Sequence, residues 1–74
     1  MSNRLHHIPI GKTARVSALH AEGSIRHRLL DIGLTRNAKV TCLFQSPSGD
    51  PRAYLIRGAI IALRSEEAEK IEVK

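Results

Sequence analysis

The spacing of apolar and polar positions divides the chain into short elements. In residues 14–19, "ARVSAL", apolar and polar positions alternate, which predicts a strand with Val16 inward. The polar stretch "HAEG" then turns the chain. From Ser24 the period changes. At about 100° per residue, Ile25, Leu29 and Ile32 fall on one stripe, with His27 and Asp31 opposite. Ser24 is suited to cap the start of this helix, and Gly33 to end it as a left-handed residue without a Cβ penalty. Leu34 can then fold back on the last turn. Two turns of helix are not stable alone in water, so the stripe must lie against a sheet.

A period of two returns in "AKVTCLFQS", which predicts a strand with Val40, Cys42 and Phe44 on one face. "SPSGDP" at 46–51 is a turn cluster. "RAYLIR" and "AIIALR" form two strands joined tightly through Gly58. Ser65 to Glu69 makes a single helical turn, and "KIEVK" closes the chain with Ile71 and Val73 on one face. Residues 1–13 carry Pro9, Gly11 and two adjacent histidines, and read as a lead-in, loosely ordered over residues 1–8. The sum is about five strands, one short helix between the first and second, and one helical turn before the last. A closed or nearly closed small barrel fits that count and protects its edges.

The length of 74 residues limits this to a single domain, 1–74, with a thin core. The chain has no Trp, and Phe44 and Tyr54 are its two aromatic residues, so the core is aliphatic. Such a core supports a scaffold and not a deep substrate cavity. Cys42 is the single cysteine, which rules out an intramolecular disulfide and favours a reducing compartment. The N-terminal segment has no apolar run suited to a signal peptide, and no stretch approaches a membrane span of roughly 20 residues. The expected location is the cytoplasm. Net charge is +5, but the basic residues are scattered and the last third carries Glu66, Glu67, Glu69 and Glu72. That reads as a mixed, solvated surface.

Three segments, in order, resemble the ferrous iron transport protein A (FeoA) family. "IRHRLLDIGL" is similar to the family's R-L-x-x-[LM]-G-[LMI] segment. "SPSGDP" is similar to its P-x-G-D-P turn, and "IIALRSEEAEKIEV" to its aLR-x-x-[ED]-A-x-x-I-x-V ending. The resemblance covers residues 9–74 and implies an SH3-like β-barrel, a fold shared with the C-terminal domain of iron-dependent repressors. It also implies a cytoplasmic accessory role beside the membrane ferrous iron transporter that carries a GTPase domain. Where the family has Pro-Gly after its G-L pair, this chain has Arg36-Asn37. Asn37 can still adopt the left-handed conformation the turn needs.

The inventory of reactive residues points away from catalysis. There is no phosphate-binding glycine loop with its Lys-Ser/Thr pair, and neither Asp31 nor Asp50 has a partner at a diagnostic spacing. Cys42 reads as a small buried hydrophobe. His27 and Asp31, four apart on a helix, could seat a labile divalent ion with help from His20. A surface contact along the helix is the simpler reading, so no metal site and no cofactor is expected. His6 and His7 are adjacent and diverge on an extended backbone. Binding is the remaining class. Tyr54 between Arg52 and Arg57 is a poor stacking platform for nucleic acid, which leaves a nucleic-acid-binding barrel as the alternative, beside a free-standing barrel of an iron-responsive regulator. For a protein partner, Leu30, Leu55 and Ile60 are each placed outward by the period of their own element. With Arg57, they form the expected docking patch.

Overall fold

The computed structural model describes residues 3–74. Six antiparallel strands follow the spatial order β1-β6-β2-β3-β4-β5. They are β1 (Asn3–Arg4), β2 (Thr13–Leu19), β3 (Lys39–Gln45), β4 (Arg52–Ile56), β5 (Ala59–Leu63) and β6 (Ile71–Val73). Helix α1 (Gly23–Asp31) lies between β2 and β3, and the single turn α2 (Ser65–Ala68) precedes β6. This is an SH3-like barrel with one strand more than the sequence pattern predicts.

Strand β2 serves two halves of the barrel. Its first part, Thr13–Arg15, pairs with β3, and its second part pairs with β6. The register shifts between Val16 and Ala18, and such a bulge bends and twists the strand enough to turn the corner. Val16 then points into the core, as its alternation predicts. Around it pack Leu29, Leu34, Val40, Cys42, Tyr54, Ile56, Leu63, Ile71 and Val73. Each large apolar side chain withdrawn from water contributes roughly 1.5–3 kcal/mol.

The extra strand corrects the reading of residues 1–8. Met1 and Ser2 lie outside the described residues. Asn3 and Arg4 pair with Val73 and Glu72 to form β1. Leu5–His7 make a 3₁₀ turn, and Leu5 and Ile8 are buried. A 3₁₀ turn stacks positions i and i+3, so Leu5 and Ile8 share one side and plug one end of a core short of large side chains. The Arg52 guanidinium fixes the segment, donating to the carbonyls of His6 (2.8 Å) and Ile8 (2.9 Å). The polar and turn-forming residues of this segment concealed that i, i+3 pair.

The helix boundaries differ in a second way. Glu22, extended at φ −130°, is the N-cap, and Ser24 lies inside the first turn with no capping role. Ile25 is 43% exposed instead of core, because the first turn reaches past the sheet to a depression lined by Glu66, Glu67 and Lys70. An ion pair between Arg28 and Glu67 joins the two helices there. The C-terminus follows the expectation. Gly33 (φ 105°) donates to the Leu30 carbonyl at 3.0 Å and Leu34 to the Leu29 carbonyl at 3.0 Å. This is a complete Schellman motif, with Leu34 and Leu29 both fully buried beneath it. Asn37 takes the left-handed conformation (φ 69°) in place of a glycine.

Candidate partner-docking face

The register of β3, β4 and β5 determines which residues share the outer side of the barrel, since directly paired residues point the same way. One row across the sheet is Thr13–Thr41–Leu55–Ile60. The Thr13 and Thr41 hydroxyls share a hydrogen bond of 2.8 Å at its β2 end. The next row is Phe44–Ala53–Ala62. On the other side of the threonine row, Arg15 pairs with Lys39. The centre is apolar and open: Ile60 is 65% exposed, Phe44 56% and Leu55 37%.

Phe44 corrects the sequence reading. Alternation predicts it inward with Val40 and Cys42. The register shifts between Cys42 and Phe44, so Leu43 is an extra residue and Phe44 emerges on the opposite face. Val40 and Cys42 remain buried. A bulge has no signature in residue type here, and period-two reasoning fails past it.

Leu55 and Ile60, placed outward by the sequence pattern, are direct cross-strand neighbours. Arg57 stands at the tip between them. It and Gly58 form a two-residue hairpin with φ of 50° and 82°, the doubly left-handed geometry that suits the strand twist. The Arg57 side chain folds back over Gly33, where Nε donates to the Gly33 carbonyl (3.3 Å) and Nη2 to the Thr35 hydroxyl (2.9 Å). Both acceptors are neutral, and no carboxylate of the described residues lies within 4 Å of this cation. Leu30 is not on this face. It lies on α1, beside a depression it shares with Ile32, Gly33, Arg57, Ala59 and Ile61.

Charge is segregated. β3, β4 and β5 contain no acidic residue. The carboxylates sit in or beside the helices, in the 46–51 turn and in β6, and three of them, Asp50, Glu67 and Glu72, are engaged by partners among the described residues. The Asp50 carboxylate accepts the Ser65 backbone N–H (2.8 Å), and that of Glu67 accepts the Arg64 N–H (3.1 Å), together capping α2. Glu72 accepts from Ser17 (3.1 Å) and pairs with His20 Nε2 at 2.8 Å. The bond to His20, then that from Ser17, holds the Glu72 carboxyl below its ordinary value. His20 therefore turns toward β6, while His27 and Asp31 stand exposed on α1. Among the described residues no three His, Cys, Asp or Glu side chains gather around a point that could hold a metal ion. Tyr54 is fully buried, so it offers no stacking surface. No helix among the described residues is long and apolar enough to cross a membrane.

Comparison with known proteins fits this architecture. Residues 3–74 match the family model of the FeoA domain. A fusion of Fe(2+) transport protein A with the Fe(2+) transporter FeoB, from Porphyromonas gingivalis, is 32% identical over 71 residues. That match covers 96% of this chain and 8% of the fusion, so the chain spans a small part of the length of its curated relative. The solution structure of the FeoA protein from Chlorobium tepidum is 38% identical, with a TM-score of 0.89, over 96% of this chain and 68% of that one. The crystal structure of Stenotrophomonas maltophilia FeoA complexed with zinc, described as an SH3 domain protein, is 27% identical. Its TM-score is 0.83, over 100% of this chain and 89% of that one. By the family match over residues 3–74 and the fold that carries it, the chain belongs to the FeoA domain family, SH3-like domains associated with ferrous iron transport.

Proposed function

We propose that this chain is a non-enzymatic accessory domain that acts by direct contact with a FeoB-type membrane ferrous iron transporter, on the cytoplasmic side where such a transporter carries its GTPase domain. The observation that carries this reading is the fused relative, in which a domain 32% identical to this chain and the transporter are one polypeptide. Fusion gives two modules a permanently high effective concentration, which rewards a weak contact between them. Outside such a fusion, a domain of this kind needs a surface that supplies the affinity instead.

The outer face of β3–β5 suits that task. Leu55 and Ile60 form an exposed apolar pair, Phe44 extends it, and Lys39, Arg15 and Arg57 border it with positive charge. Apolar centres with arginine nearby are typical of the residues that dominate protein contacts. Such a contact would modulate the transporter without any chemistry on the domain itself. The test is retention: the tagged chain is incubated with detergent-solubilised membranes, and bound proteins are identified. Recovery of the ferrous iron transporter supports the reading, and its absence from the bound fraction in a membrane that contains it contradicts the reading. Exposed Phe44 on a face whose strands carry no acidic residue favours one second reading, single-stranded nucleic acid, which would show as binding that weakens steeply with salt.

A further inference from the structure

Strand β5 ends the sheet, and its outer edge has no neighbour among the described residues. In a two-residue hairpin the flanking pair, here Ile56 and Ala59, is hydrogen-bonded, and bonded pairs then alternate. Tyr54–Ile61 and Arg52–Leu63 are therefore bonded, and the N–H and C=O groups of Ile60 and Ala62 point away from β4. Sheet edges in natural proteins are usually blunted by a charge, a proline or a bulge. β5, "AIIAL", has none of these, and its pairing with β4 is regular.

The edge is flanked on both sides by apolar surface. On the outer side are Ile60 and Ala62. On the inner side is the depression between α1 and β5, which holds Leu30, Ile32 and Ile61. Side chains of an added strand would alternate between these two surfaces. Leu30 and the pair Leu55–Ile60, which the fold separates, thus border the same edge from opposite sides.

We propose that β5 recruits an extended segment of its protein partner as a seventh strand, apolar at alternate positions and carrying a carboxylate where it passes Arg57. The proposal rests on the reading of the chain as a domain that works by protein contact, and deepens it by naming the mode. Charge selects the occupant. Arg57 is a cation already positioned by neutral acceptors, so a carboxylate can pair with it without displacing another. Asp31 is the single acidic residue lining the inner depression, so the strand should be uncharged where it passes Asp31. A second copy fits poorly. Two β5 edges related by a two-fold axis near Ile61 would bring Arg57 of each chain beside Arg64 of the other, a like-charge contact at both ends that the Asp50 carboxylate, 3.9 Å from Arg64 and already accepting the Ser65 N–H, offsets only in part.

The test uses the full chain and the cytoplasmic part of the ferrous iron transporter. Amide hydrogen exchange is measured residue by residue, with and without that protein. Strand addition slows exchange at Ile60 and Ala62 by roughly a hundredfold or more, while Ile61 and Leu63 are protected in the free chain as well. Ala62→Pro removes an outward N–H without touching the ladder to β4, which a sheet edge tolerates. It should weaken binding at least about tenfold while retaining a folded spectrum. If Ala62→Pro fails to fold, the wild-type exchange pattern still decides. Binding with unchanged exchange at Ile60 and Ala62 overturns strand addition and leaves docking by the outer face intact. Absence of binding overturns both. Protection that rises with the concentration of the chain alone assigns the edge to a second copy and likewise overturns the proposal.

Discussion

Replacing Gly33 with alanine perturbs the point where the helix, the strand after it and the β4–β5 hairpin meet. Gly33 has φ 105°, a region that side chains rarely adopt, and a non-glycine residue there costs about 1–3 kcal/mol. Its new Cβ would lie 2.6 Å from Cδ of Arg57, so the arginine must swing aside. That motion breaks the bonds to the Gly33 carbonyl and the Thr35 hydroxyl, which at this partly exposed site are together worth about 1 kcal/mol. The sum is about 2–4 kcal/mol, a large share of the roughly 5–15 kcal/mol that holds a small domain together. The assay is urea unfolding of wild type, Gly33→Ala, Arg57→Ala and the double variant. The single glycine change should lower the midpoint without changing the slope. The double variant should lose less than the two singles combined, by about 1 kcal/mol, because the clash and the lost bonds would otherwise be counted twice. Strictly additive effects would refute the contact between hairpin and helix end. A Gly33→Ala midpoint equal to wild type would refute the positive-φ assignment itself.

Three further outcomes follow from the core and the β6 side. Leu29→Ala empties a fully buried position under the Schellman motif and should cost about 2–5 kcal/mol in the same urea assay. Tyr54 is fully buried and its hydroxyl makes no well-formed hydrogen bond among the described residues, the nearby Arg52 guanidinium donating instead to the His6 and Ile8 carbonyls, so Tyr54→Phe should leave stability unchanged or raise it by up to about 1 kcal/mol. A clear loss would reveal a partner for that hydroxyl. The His20 and Ser17 bonds hold the folded-state pKa of Glu72 below its ordinary value, so its stabilisation is present above the unfolded pKa and is lost as pH falls through the lower folded one. Thermal melts from pH 6 down to acid should therefore show a steeper decline for wild type than for Glu72→Gln, and parallel declines would contradict the assignment.

The helix end, the Gly58 hairpin and the outward direction of Leu55 and Ile60 were legible because each rests on local chemistry: a glycine in a left-handed position, or strict alternation over a short strand. Reading failed where register or distant packing decides. Phe44 reverses its face because Leu43 is inserted into the ladder, and nothing in "VTCLFQ" marks the insertion. Leu5 and Ile8 are core because Arg52, far along the chain, anchors the carbonyls around them. Ile25 follows the helical stripe and is still exposed, because a stripe gives an angle and not how far the sheet beneath extends. The docking patch divided for a related reason. Period places each residue relative to its own element, and Leu30 belongs to an element that lies across the β5 edge from Leu55 and Ile60. Asp50 as a cap for α2 was beyond local reading, since its acceptor role depends on a contact 15 residues on.

The central claim is that the outer face of β3–β5 binds the transporter. Its most direct test is a paired measurement on Ile60→Gln: the urea midpoint, and the affinity for the transporter's cytoplasmic part at fixed salt. Ile60 is 65% exposed, so the substitution should change stability by no more than about 0.5 kcal/mol. At the centre of a contact the same change should weaken binding by about 1–3 kcal/mol, roughly ten- to a hundredfold. A folded Ile60→Gln that binds as tightly as wild type would contradict the claim and move the contact to another surface of the barrel.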